Sequence, residues 1–416
     1  MNNYYTATAN RTRDPQPLLG AVEADVVVIG GGFTGVAAAL TCAEKGLSVI
    51  LLEAETIGFG ASGRNGGQLI PGLRWSMREI EAEFGAERAK AIFHVAWSAR
   101  DRVWDRAAAH GIACDLTSGH LEAACKPADF DYMAAEAAFL DRRFGYKTQL
   151  LDRAGLAAHI RSDGYHGGLY DPQGGHFHPL NYVLGLAAGA EAAGVRIFER
   201  SRATSLQDGL DVLVQTEAGT VRATHAILAT DSWMDDLDPA LGRFTIPIMN
   251  YNVATAPLPD ADTLLPSNAA VADSRFVLNY FRLSADKRLL FGGGEKYVQT
   301  PPADIGAFVR QHIAEVFPHL DDVPIDHAWG GAVSVSLNRL PIIGRRGNVF
   351  HAYGFSGHGA LVTTLAGELI AEALAGTVAR FDVMASLPKR PFPGGKWLRR
   401  PLATLGLLWY ALRDRL

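Results

Sequence analysis

The chain has 416 residues, a formal net charge of -5, 48% hydrophobic and 20% charged residues. That length holds two or three core-forming units, and the ordinary balance of apolar and charged residues excludes a disordered chain and a small stapled scaffold. The slight acid excess cannot neutralise a phosphate backbone, which speaks against nucleic acid as a partner.

In chain order, residues 1–15 read as a polar leader without the apolar stretch of a secretory signal. Residues 24–29 form a β-branched run that stops at Gly30, Gly31 and Gly32, the pattern of a buried parallel strand. A helix over 34–45 closes at Gly46, and a second apolar strand over 47–52 ends at Glu53, which completes a βαβ unit. Residues 57–68 follow as a nearly charge-free loop too rich in glycine for a helix or central strand. Helical spacing over 75–109 and 128–143 flanks a short strand at 119–126. Pro179 opens a helix reaching 193; 195–198, 211–216 and 220–223 read as a short meander, and 226–230 returns to the central sheet. Alternation from 247 to 291, clearest at 276–283 and 288–291, predicts an antiparallel sheet. A strand over 348–353, a turn over 354–359 and a helix over 360–374 follow, and no repeat occurs.

The expected fold is α/β with α+β. A Rossmann-like dinucleotide domain is assembled from residues 1–88, 150–236 and 326–416, and an antiparallel-sheet substrate domain from 89–149 and 237–325. The longest late apolar segment, 402–412, falls short of the ~18 residues of a spanning helix. Cys42, Cys114 and Cys125 form no CxxC pair, so neither a disulfide framework nor a zinc knuckle is expected; a reducing, cytoplasmic setting fits.

Gly30-x-Gly32-x-x-Gly35 lies between the first strand and its helix, and Glu53 ends the next strand. Gly30 permits the tight turn, Gly32 lets a pyrophosphate approach the helix-start amides, and Gly35 allows close helix–sheet packing. An acid at position 53 accepts ribose hydroxyls and repels a 2′-phosphate, so the ligand is FAD or NAD(H). The second glycine-dense loop directly after the acid, and the late Gly354–Gly359 turn beside a helix start, favour FAD: its longer body needs further amide-lined surface, and a helix dipole there would stabilise the anionic edge of reduced flavin.

Several side chains have two readings. Arg64 either contacts the cofactor or caps its own loop by bonding carbonyls. Tyr280 and Trp329 either form an aromatic cage for an amine or pack in the core. Glu295 is either a partner for a cationic substrate or simply solvated. His176 and His178 suggest a metal pair, but no third ligand is spaced to complete it and His178 precedes Pro179 at a helix start, so no metal is expected. The tail from Lys396, Trp397, Leu398, Arg399 and Arg400 through Trp409, Tyr410 and Arg415 is amphipathic; docking on its own domain or a neighbouring subunit is expected over a membrane surface.

Four strings carry a family resemblance: Gly58–Gln68 (GFGASGRNGGQ), Gly174–Asn181 (GGHFHPLN), Asp286–Gly294 (DKRLLFGGG) and Phe355–Gly359 (FSGHG). Together they resemble the glycine oxidase, sarcosine oxidase and D-amino-acid oxidase superfamily. Ser62–Gln68 with Pro391–Gly395 resembles its branch oxidising gamma-glutamylputrescine, from about residue 24 to the C-terminus.

The resemblance implies a noncovalent FAD, since no cysteine lies in the late flavin-binding region. It implies contacts at Gly30, Gly32, Phe33, Thr34, Gly35, Glu53 and Ala54; at Gly60, Ala61, Ser62, Arg64, Asn65, Gly66, Gly67 and Gln68; at Ala203, Ala229 and Thr230; and at Gly354, Phe355, Gly357, His358 and Gly359. It implies oxidation of an amine, gamma-glutamylputrescine or a similar polyamine-derived compound, to an imine that yields aldehyde and ammonia, with oxygen reduced to hydrogen peroxide. Gln68, His358, Tyr280 and Trp329 are the catalytic candidates, because the amine must lose a proton before hydride leaves its carbon. Sarcosine-oxidase-like relatives place a lysine near the flavin where this chain has Leu290 and Phe291, so oxygen reactivity must arise elsewhere or be poor. Two other functions compete: a dehydrogenase passing electrons to a quinone or carrier, and a flavin-binding protein without turnover.

Overall fold

The computed structural model describes residues 3–296, 301–395, 398–399, 401–402 and 404–406. Lys396, Trp397, Arg400, Trp409, Tyr410 and Arg415 of the tail lie outside the described residues, as does the side chain of Glu295.

Two sheets organise the chain. The first runs in the order Ile342–Arg346, Val349–Tyr353, Gly219–Leu228, Gly20–Ile29, Val49–Leu52, Arg196–Phe198; along this path only the pairing of Ile342–Arg346 with Val349–Tyr353 is antiparallel. The apolar run after Asp25 is explained by burial on both faces. Val26 and Val28 pack under the helices Phe33–Glu44, Pro179–Ala192 and Val362–Leu374, while Val27 and Ile29 join a second core with Val212, Val221 and Met234. The meander Ser205–Gln207, Val212–Gln215 and Gly219–Leu228 makes the second cover, and its last strand continues into the sheet centre without a break.

The second sheet runs Ile325–Ser336, Thr245–Pro257, Arg288–Lys296, Tyr280–Leu283, Ala270–Asp273, Thr117–Ala124, Gly167–His176, Gln68–Leu69, with Gln149–Asp152 also on Gly167–His176. It is antiparallel except where Ala270–Asp273 pairs in parallel with Thr117–Ala124.

This sheet crosses the expected domain boundaries. Gln68–Leu69, Gly167–His176 and all but the first residue of Ile325–Ser336 come from spans assigned to the dinucleotide domain. Conversely, helices Ala86–Trp97 and Ala99–Ala109, most of whose residues fall in a substrate span, pack in the first sheet's helical core.

The leader is not a free polar segment. Tyr4–Ala7 forms a helical turn whose Tyr4 and Tyr5 are buried; Tyr5 meets Trp329 edge-on and Asn3 Nδ2 donates to the Gly63 carbonyl at 3.0 Å. Arg399, the described cation of the tail, is buried on its own chain, where it donates to the Gly242 carbonyl at 2.7 Å and pairs with Asp235. Among the described residues no helix is long and apolar enough to cross a membrane.

Candidate active site

A cavity of about 830 Å³ runs between the two sheets, starting at the carboxyl ends of the parallel strands. Its first part is the glycine turn. Gly30 sits at φ 112°, a conformation open to glycine, with its α-carbon pressed on the Ala229 carbonyl. Gly35 packs on the Gly30 carbonyl and does not line the cavity, which is the helix–sheet role expected of a third glycine. Gly32 is the N-cap of Phe33–Glu44, and a Cβ there would stand 2.8 Å from Ser62 Oγ, which itself accepts the Phe33 N–H at 3.0 Å. The turn and the glycine-dense loop therefore form one wall.

Glu53 also holds this turn. Its carboxylate accepts Gly31 N–H at 2.6 Å and Glu55 N–H at 2.9 Å, and burial raises its pKa against those two bonds. Each oxygen keeps a lone pair for a ribose hydroxyl at the cavity wall. Phe33, Thr34, Ala54, Ala203, Ala229 and Thr230 line the same end.

Gly60, Ala61, Ser62, Asn65, Gly66 and Gln68 line the next part, whereas Gly67 and Arg64 do not. Arg64 corrects the cofactor-contact reading: its Nε donates to the Phe59 carbonyl at 2.7 Å, an Nη to the Gly330 carbonyl at 3.3 Å, and its guanidinium stacks on Phe59. Gly67 is turned away because its α-carbon packs against the Phe177 carbonyl and Arg282.

At the late turn Phe355, Gly357, His358 and Gly359 line the cavity, but Gly354 lies behind, where its N–H donates to Asp231 at 3.0 Å. The following helix spans Val362–Leu374, and the Gly359 carbonyl already accepts the Thr363 N–H at 2.9 Å, so the turn leads directly into the helix start. Asp231, unmarked in the sequence reading, is half-buried in this wall, and desolvation pushes its carboxyl up to about 6.

The cradle fits a dinucleotide: Gly30, Gly31 and Gly32 line the cavity without side chains where the helix Phe33–Glu44 begins, and the Glu53 carboxylate lines it beside them, a donor set suited to a pyrophosphate and a ribose. None of Cys42, Cys114 and Cys125 lines the cavity.

Beyond the cradle the second sheet forms the floor. The Tyr280 ring fits between Gly66 and Gly292, where a side chain at either glycine would occupy its place, and its hydroxyl bonds Asn250. Gln68 Nε2 donates to the Val271 carbonyl at 2.7 Å and Oε1 lies 3.3 Å from His120 Nε2. Burial lowers His120 to about 4. His358 bonds the Pro71 backbone through one ring nitrogen; the other, Nε2, is buried without a partner, and burial with Arg74 and His120 nearby lowers it to about 3. Both rings are neutral at physiological pH.

Trp329 corrects the cage reading. It is fully buried, does not line the cavity, and its indole N–H donates to the Arg64 carbonyl at 2.9 Å, so it braces the loop from behind. Leu290 and Phe291 are core residues, and among the described residues lining the cavity there is no lysine. His176 Nε2 donates to the Asn268 carbonyl at 2.8 Å; His178 Nδ1 accepts Asn181 N–H at 3.1 Å while Nε2 meets Thr8 at 3.1 Å. Both histidines have structural partners.

His120 and Glu122 point the same way two residues apart on Thr117–Ala124 and also face the cavity, joined by Arg74 and Asp171. The alternation of two polar residues on a short strand was the signal for the first two; Arg74 and Asp171 carry none.

A protein-family model described as FAD dependent oxidoreductase matches residues 25–373. Gamma-glutamylputrescine oxidoreductase of Escherichia coli (strain K12) is 38% identical over 100% of this chain and 98% of its own length. A probable oxidoreductase OrdL of Rhizobium meliloti (strain 1021) is 38% identical over 99% of this chain and 97% of its own. The structure of glycine oxidase from Geobacillus kaustophilus superposes with a TM-score of 0.73 at 21% identity, covering 88% of this chain and 100% of that one.

Proposed function

The chain belongs to the FAD dependent oxidoreductase family, and from that premise we propose that it oxidises the primary amine of gamma-glutamylputrescine or a closely similar amine. The carrying observation is one continuous cavity that joins the dinucleotide cradle to a chamber floored by neutral polar side chains. Its whole-length similarity to an enzyme named for that substrate supports the choice of amine.

Bound FAD supplies the two-electron acceptor. The protein must deliver the amine uncharged, because an ammonium withdraws the electron pair that forms the C=N bond as hydride leaves the carbon. His358 lines the cavity as a neutral ring, its pKa depressed to about 3, so it orients an amine that arrives uncharged and does not take up its proton. Gln68 and Tyr280 are held by their own hydrogen bonds and orient the amine over the floor. Water then hydrolyses the imine to aldehyde and ammonia. In this reading the electrons reach oxygen and give hydrogen peroxide.

A second reading, a dehydrogenase that hands its electrons to a quinone or carrier protein, draws on the lack of lysine among the described residues of the cavity wall. An amine panel of gamma-glutamylputrescine, putrescine, sarcosine, glycine and D-amino acids decides, scored for flavin bleaching without oxygen and for peroxide with it. Bleaching first by gamma-glutamylputrescine with stoichiometric peroxide is expected. Bleaching without peroxide selects the dehydrogenase, and a flavin left oxidised by every amine removes both.

A further inference from the structure

The cavity that Gln68 and His120 line is also lined by the apolar side chains of Trp97, Met133, Leu140 and Leu169. An apolar wall of this kind suits a methylene chain. Its polar groups are mostly engaged already: Asp171 accepts the Tyr146 hydroxyl at 2.7 Å, and Asp273 pairs with Arg275 and accepts Asn279 N–H.

Arg74 and Glu122 are not. Both line the cavity, neither makes a hydrogen bond or ion pair of 4.0 Å or less among the described residues, yet Arg74 is near enough to draw down the desolvation-raised pKa of Glu122. A carboxylate and a guanidinium that line one cavity, both open to solvent and neither taken by a protein partner, are available to opposite charges on a ligand. A ligand end carrying both an ammonium and a carboxylate satisfies the two at once, the guanidinium holding the carboxylate through its planar fork.

We propose that Arg74 and Glu122 form a recognition site for the zwitterionic amino-acid end of a long amine whose other end reacts: Arg74 takes the α-carboxylate and Glu122 the α-ammonium. This rests on the amine-oxidation reading for the identity of the reacting end only. It makes the site a selector of γ-glutamylated amines against free diamines, which lack the carboxylate.

The test uses the holoenzyme and a pair of probes that lack the reacting amine: γ-glutamylpropylamide, and N-propylbutanamide, which keeps the chain without either charge. Binding is read from perturbation of the oxidised flavin spectrum. The wild type is expected to prefer the charged probe by at least about 10-fold, and Glu122→Gln and Arg74→Met each to reduce that preference several-fold while retaining flavin. A ratio near one in the wild type, or a ratio that neither substitution lowers, overturns the site. Anaerobic bleaching by γ-glutamylpropylamide itself places the α-amino group at the reacting position and overturns it too. If the preference and its loss are observed while no amine bleaches the flavin, the site stands and the oxidation reading falls.

Discussion

Glu53 shows how one side chain serves both the fold and the ligand. Its carboxylate already accepts two backbone N–H groups at 2.6 and 2.9 Å. Glu53→Gln would turn an NH2 toward one of those donors and also remove the charge that strengthens the ribose bonds. A loss of ~2–3 kcal/mol follows, or about 30- to 150-fold in FAD affinity, read by titrating apoprotein with FAD; an unchanged dissociation constant would separate Glu53 from the ribose. His358 gives a pH prediction. Its pKa is depressed to about 3 and that of His120 to about 4, so both have already lost their proton well below pH 6 and neither titrates above it. The rate of flavin reduction should therefore rise with pH along the ionisation of the amine alone. His358→Gln should lower the plateau about 10-fold through lost positioning of the amine and leave the midpoint where it was. A midpoint that moves with the substitution would mean that His358 titrates in the working range.

At the scale of elements, the glycine-dense loop is held by its carbonyls. Arg64 binds that of Phe59, Trp329 that of Arg64, Arg282 that of Gly66, and Asn3 that of Gly63, while Arg64 also ties the loop to the Gly330 carbonyl of the strand Ile325–Ser336. Tyr5 anchors the leader in this clamp, fully buried against Trp329 and Arg282. Tyr5→Ala is expected to cost ~3–5 kcal/mol in urea unfolding, whereas Tyr5→Phe should lose only about 1 kcal/mol with the hydroxyl bond to Arg282. A near-neutral Tyr5→Ala would show that the leader is not part of the core. The leader's role was hidden because its polar composition masks two aromatics placed by a single turn. Two strands were hidden for another reason: Gly167–His176 and Ile325–Ser336 carry the pairs Gly167–Gly168, Gly174–Gly175 and Gly330–Gly331, which read as turns. In the sheet they mark close approach; a Cβ at Gly168 would meet the Glu122 carbonyl at 2.7 Å and one at Gly330 the Tyr251 ring at 2.9 Å. The parallel strands were legible because burial on both faces demands an unbroken apolar run.

For the whole molecule, the consequence of this topology is that one cavity is closed by segments far apart along the chain. The turn at Gly30–Thr34, the loop at Gly60–Gly66 and the turn at Phe355–Gly359 all line it, and the floor comes from the other sheet. The cradle could be read from the sequence since each segment announces itself by glycine spacing. The chamber could not, because Arg74, His120 and Glu122 meet only through pairing of Thr117–Ala124 with Ala270–Asp273 and Gly167–His176, contacts with no local signature. A single ligand that bridges distant segments must protect them together. Amides that exchange by openings which release FAD should slow by about 100-fold when free FAD reaches 100 times its dissociation constant, since binding then adds about 2.7 kcal/mol to the closed state. Hydrogen exchange on apoprotein and holoprotein should show that slowing in all three segments over one range of FAD concentration. Protection confined to the first turn, with the residues of 60–66 and 355–359 exchanging as before, would mean that the nucleotide ends at the pyrophosphate and that the three glycine-lined walls do not share one ligand.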